Sequence, residues 1–193
     1  MTNQLIQYIS KFIQLDEKEI EVISSQIQVK SYKAGDVLLK EGTVSKLSFF
    51  NLKGCVRLYH IIDGEEKTTF FYTENQFISS IRSFTKKIPS NHYLDCLEDC
   101  VLALIPYEVE KELLKTFPKL ETFARISLEQ ELGNYQEILS SYIISNPEQR
   151  YRNLLKKQPE LLQRVPLYHL ASYLGIKAES LSRIRKRIGE NTS

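Results

Sequence analysis

The segment Leu167–Ile188 reads LYHLASYLGIKAESLSRIRKRI, and its spacing describes two short helices crossing at a tight turn. Leu170 and Ala171 fall where the first helix presses on the second. Gly175 falls where a turn of about three to four residues needs a positive φ. Ile176, Leu181, Ile184 and Ile188 give the second helix an inward apolar stripe, while Lys177, Glu179, Ser182, Arg183, Lys186 and Arg187 fall largely on its free side. A helix that enters a DNA major groove must be held from behind by packing and must present donors to bases and phosphates in front. An ordinary helical hairpin with a solvated basic face shares the amphipathic pattern. The small residue at Ala171, the glycine four residues later and the apolar residues six and nine beyond that glycine favour a DNA-binding helix-turn-helix.

Charge is distributed to match. Pro147–Ser193 carries 10 Lys/Arg against 4 Asp/Glu, whereas the preceding residues carry 16 against 20, so a near-neutral chain of net charge +2 conceals a basic C-terminal piece and a mildly acidic N-terminal one. At 193 residues, with 42% hydrophobic residues, the chain can bury a real core as one large domain or two small ones. No signal-peptide-like succession opens it, and runs such as Val101–Ile105 are too short to span a bilayer, so a cytoplasmic protein without membrane attachment is expected. Cys55, Cys96 and Cys100 are odd in number and sit in apolar surroundings, which predicts buried thiols rather than a disulfide framework or an iron–sulfur centre.

Upstream, Asn3–Ile13 and Glu17–Gln26 have helical periodicity, with Asp16 and Glu19 spaced as a capping box. After Ile27 the period becomes two. Val37–Lys40, Leu47–Leu52, Val56–Ile62, Thr68–Tyr72 and Tyr93–Leu97 read as strands separated by glycines, with Asp63–Gly64 as the strongest hairpin turn. Pro106 suits the first turn of a helix to about Thr116, and Pro118 the start of a longer one to about Ser145. On that longer helix Leu128, Leu132, Tyr135, Leu139 and Tyr142 recur at spacings of four and three. Such a seam could lie on the β domain, but pairing with its own copy would set two readers side by side, and homodimerisation is the better reading. Gly133 and Asn134 weaken the helix locally. Asn146–Pro147 then opens a helix to about Lys157, in which Arg150, Arg152, Lys156 and Lys157 are candidate phosphate contacts.

A glycine-punctuated β domain, a connecting helix and a C-terminal helix-turn-helix, in that order, resemble the Crp/Fnr superfamily of bacterial transcription regulators. The resemblance is carried by YKAGDVLLKEGTVSKLSFFNLKGCVRLYHIIDGEEK at Tyr32–Lys67 and by LASYLGIKAESLSRIRKRI at Leu170–Ile188. It implies an α+β fold with an N-terminal antiparallel β-roll (a double-stranded β-helix) and flanking helices over 1–117, a long dimerisation helix over 118–145, and a winged-helix-like helix-turn-helix domain over 146–193. Only Gly-Glu-Asn-Thr-Ser follows Ile188, so the wing is expected to be reduced. The implied base-reading residues are Lys177, Ala178, Glu179, Ser182 and Arg183. Arginine can pair with guanine O6 and N7 and glutamate can accept from the cytosine amino group, whereas Ala178 offers only a methyl contact where many members carry arginine.

The ligand site departs from the cyclic-nucleotide binders. Where they carry a Gly-Glu pair and then an arginine followed by a small hydroxylated residue, this chain has Phe77-Ile78-Ser79-Ser80 and Ser90-Asn91-His92. A buried cyclic phosphate needs a cation or equivalent donors to offset its desolvation. Ser79, Ser80, Ser90 and Asn91 supply only neutral groups, with Arg82, Lys86 and Lys87 near in sequence, so cyclic AMP is not expected as the effector. The expectation is a homodimeric, sequence-specific regulator that reads near-palindromic double-stranded DNA, with RNA polymerase as a further partner, an effector of unassigned chemistry and no cofactor or metal. The alternatives are a regulator responding to a cyclic nucleotide or another small ligand through a non-standard pocket, and a non-specific nucleic-acid-binding or interaction adaptor. An enzyme is not expected: His60, His92 and His169 have no ligand-like spacing, and no phosphate loop, nucleophile elbow or paired carboxylates appear.

Overall fold

The computed structural model describes residues 3–190. It contains helices α1 (Asn3–Ile9) and α2 (Glu17–Gln26) and strands β1 (Gln28–Tyr32), β2 (Val37–Leu39), β3 (Leu47–Lys53), β4 (Val56–Ile62), β5 (Glu65–Tyr72) and β6 (Phe77–Ile78). Helix α3 (Ile81–Lys86) and strands β7 (Tyr93–Cys96) and β8 (Cys100–Pro106) complete the β region. Then follow α4 (Tyr107–Thr116), α5 (Lys119–Ile144), α6 (Pro147–Lys157), α7 (Leu161–Arg164), α8 (Leu167–Tyr173) and α9 (Ala178–Glu190). The strands form two four-stranded sheets, ordered β1-β8-β3-β6 and β2-β7-β4-β5, which is the expected α+β class with a β-roll. Among the described residues, no helix is long and apolar enough to cross a membrane.

The chain folds as two compact units. The first runs to Leu58 and resumes over Phe71–Gly133; the second comprises Tyr59–Phe70 and the chain from Asn134 onward. The boundary therefore lies inside α5 rather than at its ends, and the second unit takes in the β4–β5 hairpin. Gly133 and Asn134 do not interrupt α5. The reduced wing expected after Ile188 falls largely on residues 191–193, which lie outside those described.

The first unit is organised by β3 and β8, which pair antiparallel from Leu47↔Pro106 to Lys53↔Val101. Phe50, Leu52, Ala103 and Ile105 join Leu5, Ile9, Ile23, Leu113, Leu120 and Phe123 in one core, so one face of this sheet lies under α1, α2, α4 and the start of α5. The alternate residues Phe49, Asn51 and Leu102 are also buried and belong to the opposite face of the pleat. A strand covered on both faces reads as an apolar run without alternation, which is why β8 escapes a search for period two. β1 escapes it for the opposite reason: QVKSY is an edge strand, and none of its residues is fully buried. Rings reinforce the core, with Tyr8 and Phe50 5.1 Å apart and Phe50 and Phe77 5.0 Å apart.

Predicted local signals appear where expected. Asp16 and Glu19 form the reciprocal capping box of α2, with bonds of 2.9 and 2.8 Å. Asp63 and Gly64 adopt φ of 53° and 80°, the left-handed pair required by the β4–β5 turn. Gly54 has φ of 106°, and a Cβ there would come within 2.5 Å of Cys100 Sγ, so backbone conformation and close packing both require glycine. All three cysteines are buried and none forms a disulfide. A hydrogen bond with Cys100, followed by burial, raises the Cys96 thiol, which leaves that sulfur a poor nucleophile.

Candidate nucleic-acid interface

The second unit holds the helix-turn-helix. Asn146 caps α6, accepting from the Gln149 N–H at 3.0 Å while the Gln149 side chain accepts from the Asn146 N–H at 2.9 Å, and Pro147 stands at the first helical position. Tyr151, Leu154, Leu161 and Val165 from α6 and α7 are buried beside Leu170, Ala171 and Leu174 of α8 and its cap. α8 ends as predicted: Gly175 has φ of 68°, and the Ile176 N–H donates back to the Ala171 carbonyl at 3.0 Å. From α9, Leu181 and Ile184 are 0% and 8% exposed, so the helix is braced on that face.

Its other face is polar and open. Lys177, Glu179, Ser182, Arg183, Lys186 and Arg187 are all exposed, and Ala178 is partly so. Within the described residues Glu179 and Arg183 take part in no hydrogen bond or ion pair. Glu179 therefore has no neighbouring cation orienting it. Arg185 is also exposed and adds a cation that the sequence reading left out. Arg187 instead reaches the Glu148 carboxylate on α6, and Arg152 meets the same carboxylate at 2.8 Å. The hydrogen bond from Arg152, with Arg187 beside it, holds the Glu148 carboxyl below the usual glutamate range.

The four candidate phosphate contacts on α6 separate. Arg150 is engaged within its own unit: Nε and Nη2 donate to the Leu174 carbonyl at 3.1 and 3.0 Å, and Nη1 donates to the Ser145 carbonyl at 2.7 Å. Its guanidinium also lies 4.7 Å from the centre of the Tyr142 ring. Arg152 is engaged with Glu148, and Lys157 bonds Glu137 at 2.7 Å. Lys156 is exposed and has no partner within the described residues.

The seam expected on α5 also separates. Leu128, Leu132 and Leu139 are 55%, 58% and 62% exposed. Tyr135 stacks on Phe70 of the hairpin, with centroids 5.2 Å apart. The Tyr142 hydroxyl donates to the Tyr173 carbonyl at the end of α8, and a Cβ on Gly175 would lie 3.3 Å from that hydroxyl. These two tyrosines are thus engaged within their own unit, although Tyr142 stays 39% exposed, whereas Ile143, four residues after Leu139, is 76% exposed and continues the open apolar row. The i,i+4 relation to Leu139 is the signal that could have found it. The hairpin also touches α8: the Thr68 N–H donates to Ser172 Oγ at 2.9 Å, and that hydroxyl donates to the Glu66 carbonyl at 3.1 Å. Nothing in the sequence marks Ser172 for this bond, because its partner lies about a hundred residues away.

In the first unit, the cassette positions hold neutral groups. Ser80 and Ser90 are buried with their hydroxyls 3.3 Å apart. Asn91 is exposed and bonds the neighbouring His92 ring, Arg82 is exposed on α3, and the Ser79 hydroxyl oxygen is buried without a partner among the described residues. The buried arginine of this unit, Arg57 of β4, is 3% exposed and is bound to Asp95 of β7 through Nε at 3.0 Å and Nη2 at 2.6 Å. No group of three or more metal-ligating side chains occurs among the described residues.

Residues 29–117 match the family described as the cyclic nucleotide-binding domain. Over the longer chain, the anaerobic regulatory protein of Pasteurella multocida is 24% identical over 187 residues, covering 90% of this chain and 68% of that protein. The fumarate and nitrate reduction regulatory protein of Vibrio cholerae is 23% identical over 186 residues, covering 90% and 74%. The c-di-GMP responsive global regulator CLP of Xanthomonas campestris superposes with a TM-score of 0.72 at 20% identity, over 92% of this chain and 93% of that one.

Proposed function

We propose that this chain is a regulator of the Crp/Fnr type, a homodimeric, cytoplasmic transcription factor that reads a near-palindromic DNA site. The observation that carries the proposal is α9: buried Leu181 and Ile184 fix one face while Arg183 and Glu179 stand exposed on the other without partners among the described residues. A rigid helix with unpaired hydrogen-bonding groups is suited to base edges in a major groove. Exposed Leu128, Leu132, Leu139 and Ile143 on α5 support a helix pair between two copies, which would set half-sites about 34 Å apart.

The same reading makes cyclic AMP an unsuitable effector. Arg57 is already neutralised by Asp95, Arg82 is exposed, and Ser80 and Ser90 are neutral. Desolvating a phosphate monoanion against such groups is unfavourable.

The test is selection of bound fragments from random duplex DNA, followed by titration of the winning site. Arg183→Ala should lose about 1–3 kcal/mol on that site and relax one base position, with little change on random DNA. Lys156→Ala should weaken all sequences alike and reduce the salt slope by about 0.9. Recovery of no preferred sequence, or equal losses on specific and random DNA for Arg183→Ala, would replace this reading with a non-specific nucleic-acid binder.

A further inference from the structure

The first unit contains a cavity of about 300 Å³ on the helix-covered side of the roll, walled by Ile9, Phe77, Leu114 and Phe123. Exposed Ile81 and Leu128, 46% and 55% accessible, stand among its lining residues and place apolar carbon at its rim. Its polar groups are the hydroxyls of Ser48, Ser79, Thr85 and Ser127 and the carboxyls of Glu110 and Glu131. Ser79 Oγ is buried and has no hydrogen-bond partner among the described residues. Glu110 accepts from Ser48 Oγ at 3.3 Å, which leaves lone pairs on its carboxyl unused.

The charge of this lining selects the class of ligand. No lysine, arginine or histidine lines the cavity, and two carboxyls do. A phosphate, a cyclic nucleotide or a fatty carboxylate would be desolvated beside like charge with no compensating cation. A neutral hydroxyl suits this lining, since its oxygen can accept from the Ser79 hydroxyl and its hydrogen can be donated to a carboxyl or hydroxyl oxygen. At about 300 Å³ the cavity lies at the small end of the range for organic-ligand pockets, so a small ligand suits it. An apolar wall with a few convergent polar groups is the usual make-up of a small-molecule site.

We propose that this cavity binds an uncharged apolar alcohol of that size, through its hydrocarbon on the aliphatic and aromatic walls and its hydroxyl on that of Ser79. The site is distinct from the Ser80–Ser90 hydroxyl pair, and it does not depend on the DNA-binding reading. Ala124 lines the cavity from an exposed position on α5, so a larger side chain there fills the space without opening the core.

Calorimetry on the full chain, without DNA, tests the proposal with octanol and octanoate as probes. Octanol should bind saturably with one site per protomer, and octanoate at neutral pH should not. Ala124→Trp should abolish octanol binding with helical content unchanged, and Ser79→Ala should weaken it roughly fivefold, the loss of one neutral hydrogen bond. If Ala124→Trp does not fold, the Ser79→Ala shift and the octanol–octanoate contrast decide the matter. Absence of octanol binding, equal binding of octanoate, or unchanged affinity in a folded Ala124→Trp would overturn it. Conversion of a dimer to a monomer by Ala124→Trp would also overturn it, by assigning the space to a second copy.

Discussion

The guanidinium of Arg150 closes on the carbonyl oxygen of Leu174, donating from Nε at 3.1 Å and from Nη2 at 3.0 Å. Leu174 is the C-cap of α8, so its carbonyl is one of those a helix end leaves without an intrahelical donor. A cation at a helix C-terminus also meets the favourable end of the helix dipole. The turn that aims α9 is thus held by a side chain from α6 and, through the Tyr142 hydroxyl on the Tyr173 carbonyl, by one from α5.

Arg150→Met should therefore lower stability by about 1–2 kcal/mol and weaken specific and random DNA alike, without changing the salt dependence. Titrations at several salt concentrations check this. A slope reduced by about 0.9 would make Arg150 a phosphate contact instead.

Asp95→Asn should destabilise the roll by about 3–5 kcal/mol, because it removes the carboxylate charge that faces the Arg57 guanidinium, 3% exposed. Urea denaturation followed by circular dichroism measures the loss. The double change Arg57→Met, Asp95→Leu should recover most of it, since the cost arises from removing one charge of the pair rather than from the absence of both.

Leu132→Asp and Leu139→Asp should shift the chain to monomer, because each places a carboxylate in the exposed apolar row of α5. Light scattering across a concentration series reads the change. Tyr142→Phe should leave the dimer intact and instead loosen the end of α8, since its hydroxyl serves the Tyr173 carbonyl. If Tyr142→Phe dissociates the dimer while Leu139→Asp does not, the row has been assigned to the wrong face.

Glu110 gives a pH dependence of stated sign. Burial raises its carboxyl pKa, against a smaller opposing hydrogen bond from Ser48. The folded state then holds a proton that the unfolded chain has released, so stability falls as pH rises from the ordinary glutamate value through the raised one. Glu110→Gln should flatten that segment of the stability–pH curve and leave the protein more stable at neutral pH. Thermal unfolding measured from pH 4 to pH 7 checks it; an unchanged slope would show that Glu110 is not its source.

Elements whose burial is one-sided were legible from periodicity. α2, β4, α4, α6 and α8 start or end within a residue or so of their predicted bounds, because caps, prolines and alternation are local chemistry. β8 and β1 were not, since one is buried on both faces and the other is a polar edge. The short α3 and α7 carry no periodic pattern long enough to read. Cations on α6 looked equivalent in sequence and proved different: Arg150, Arg152 and Lys157 have internal partners, and Lys156 has none within the described residues.

By itself, the sequence determined which side chains of α9 face inward, where the turn before it needs Gly175, and that the basic residues concentrate after Asn146. These depend on spacing along the chain, and a helix converts spacing directly into direction. Only the tertiary structure decided that Tyr135 and Tyr142 serve their own unit, that Arg150 secures a carbonyl, and that Arg57 is cancelled by Asp95. Each of those pairs joins residues distant in sequence, and local propensity carries no information about which charge or carbonyl will be brought within 3 Å.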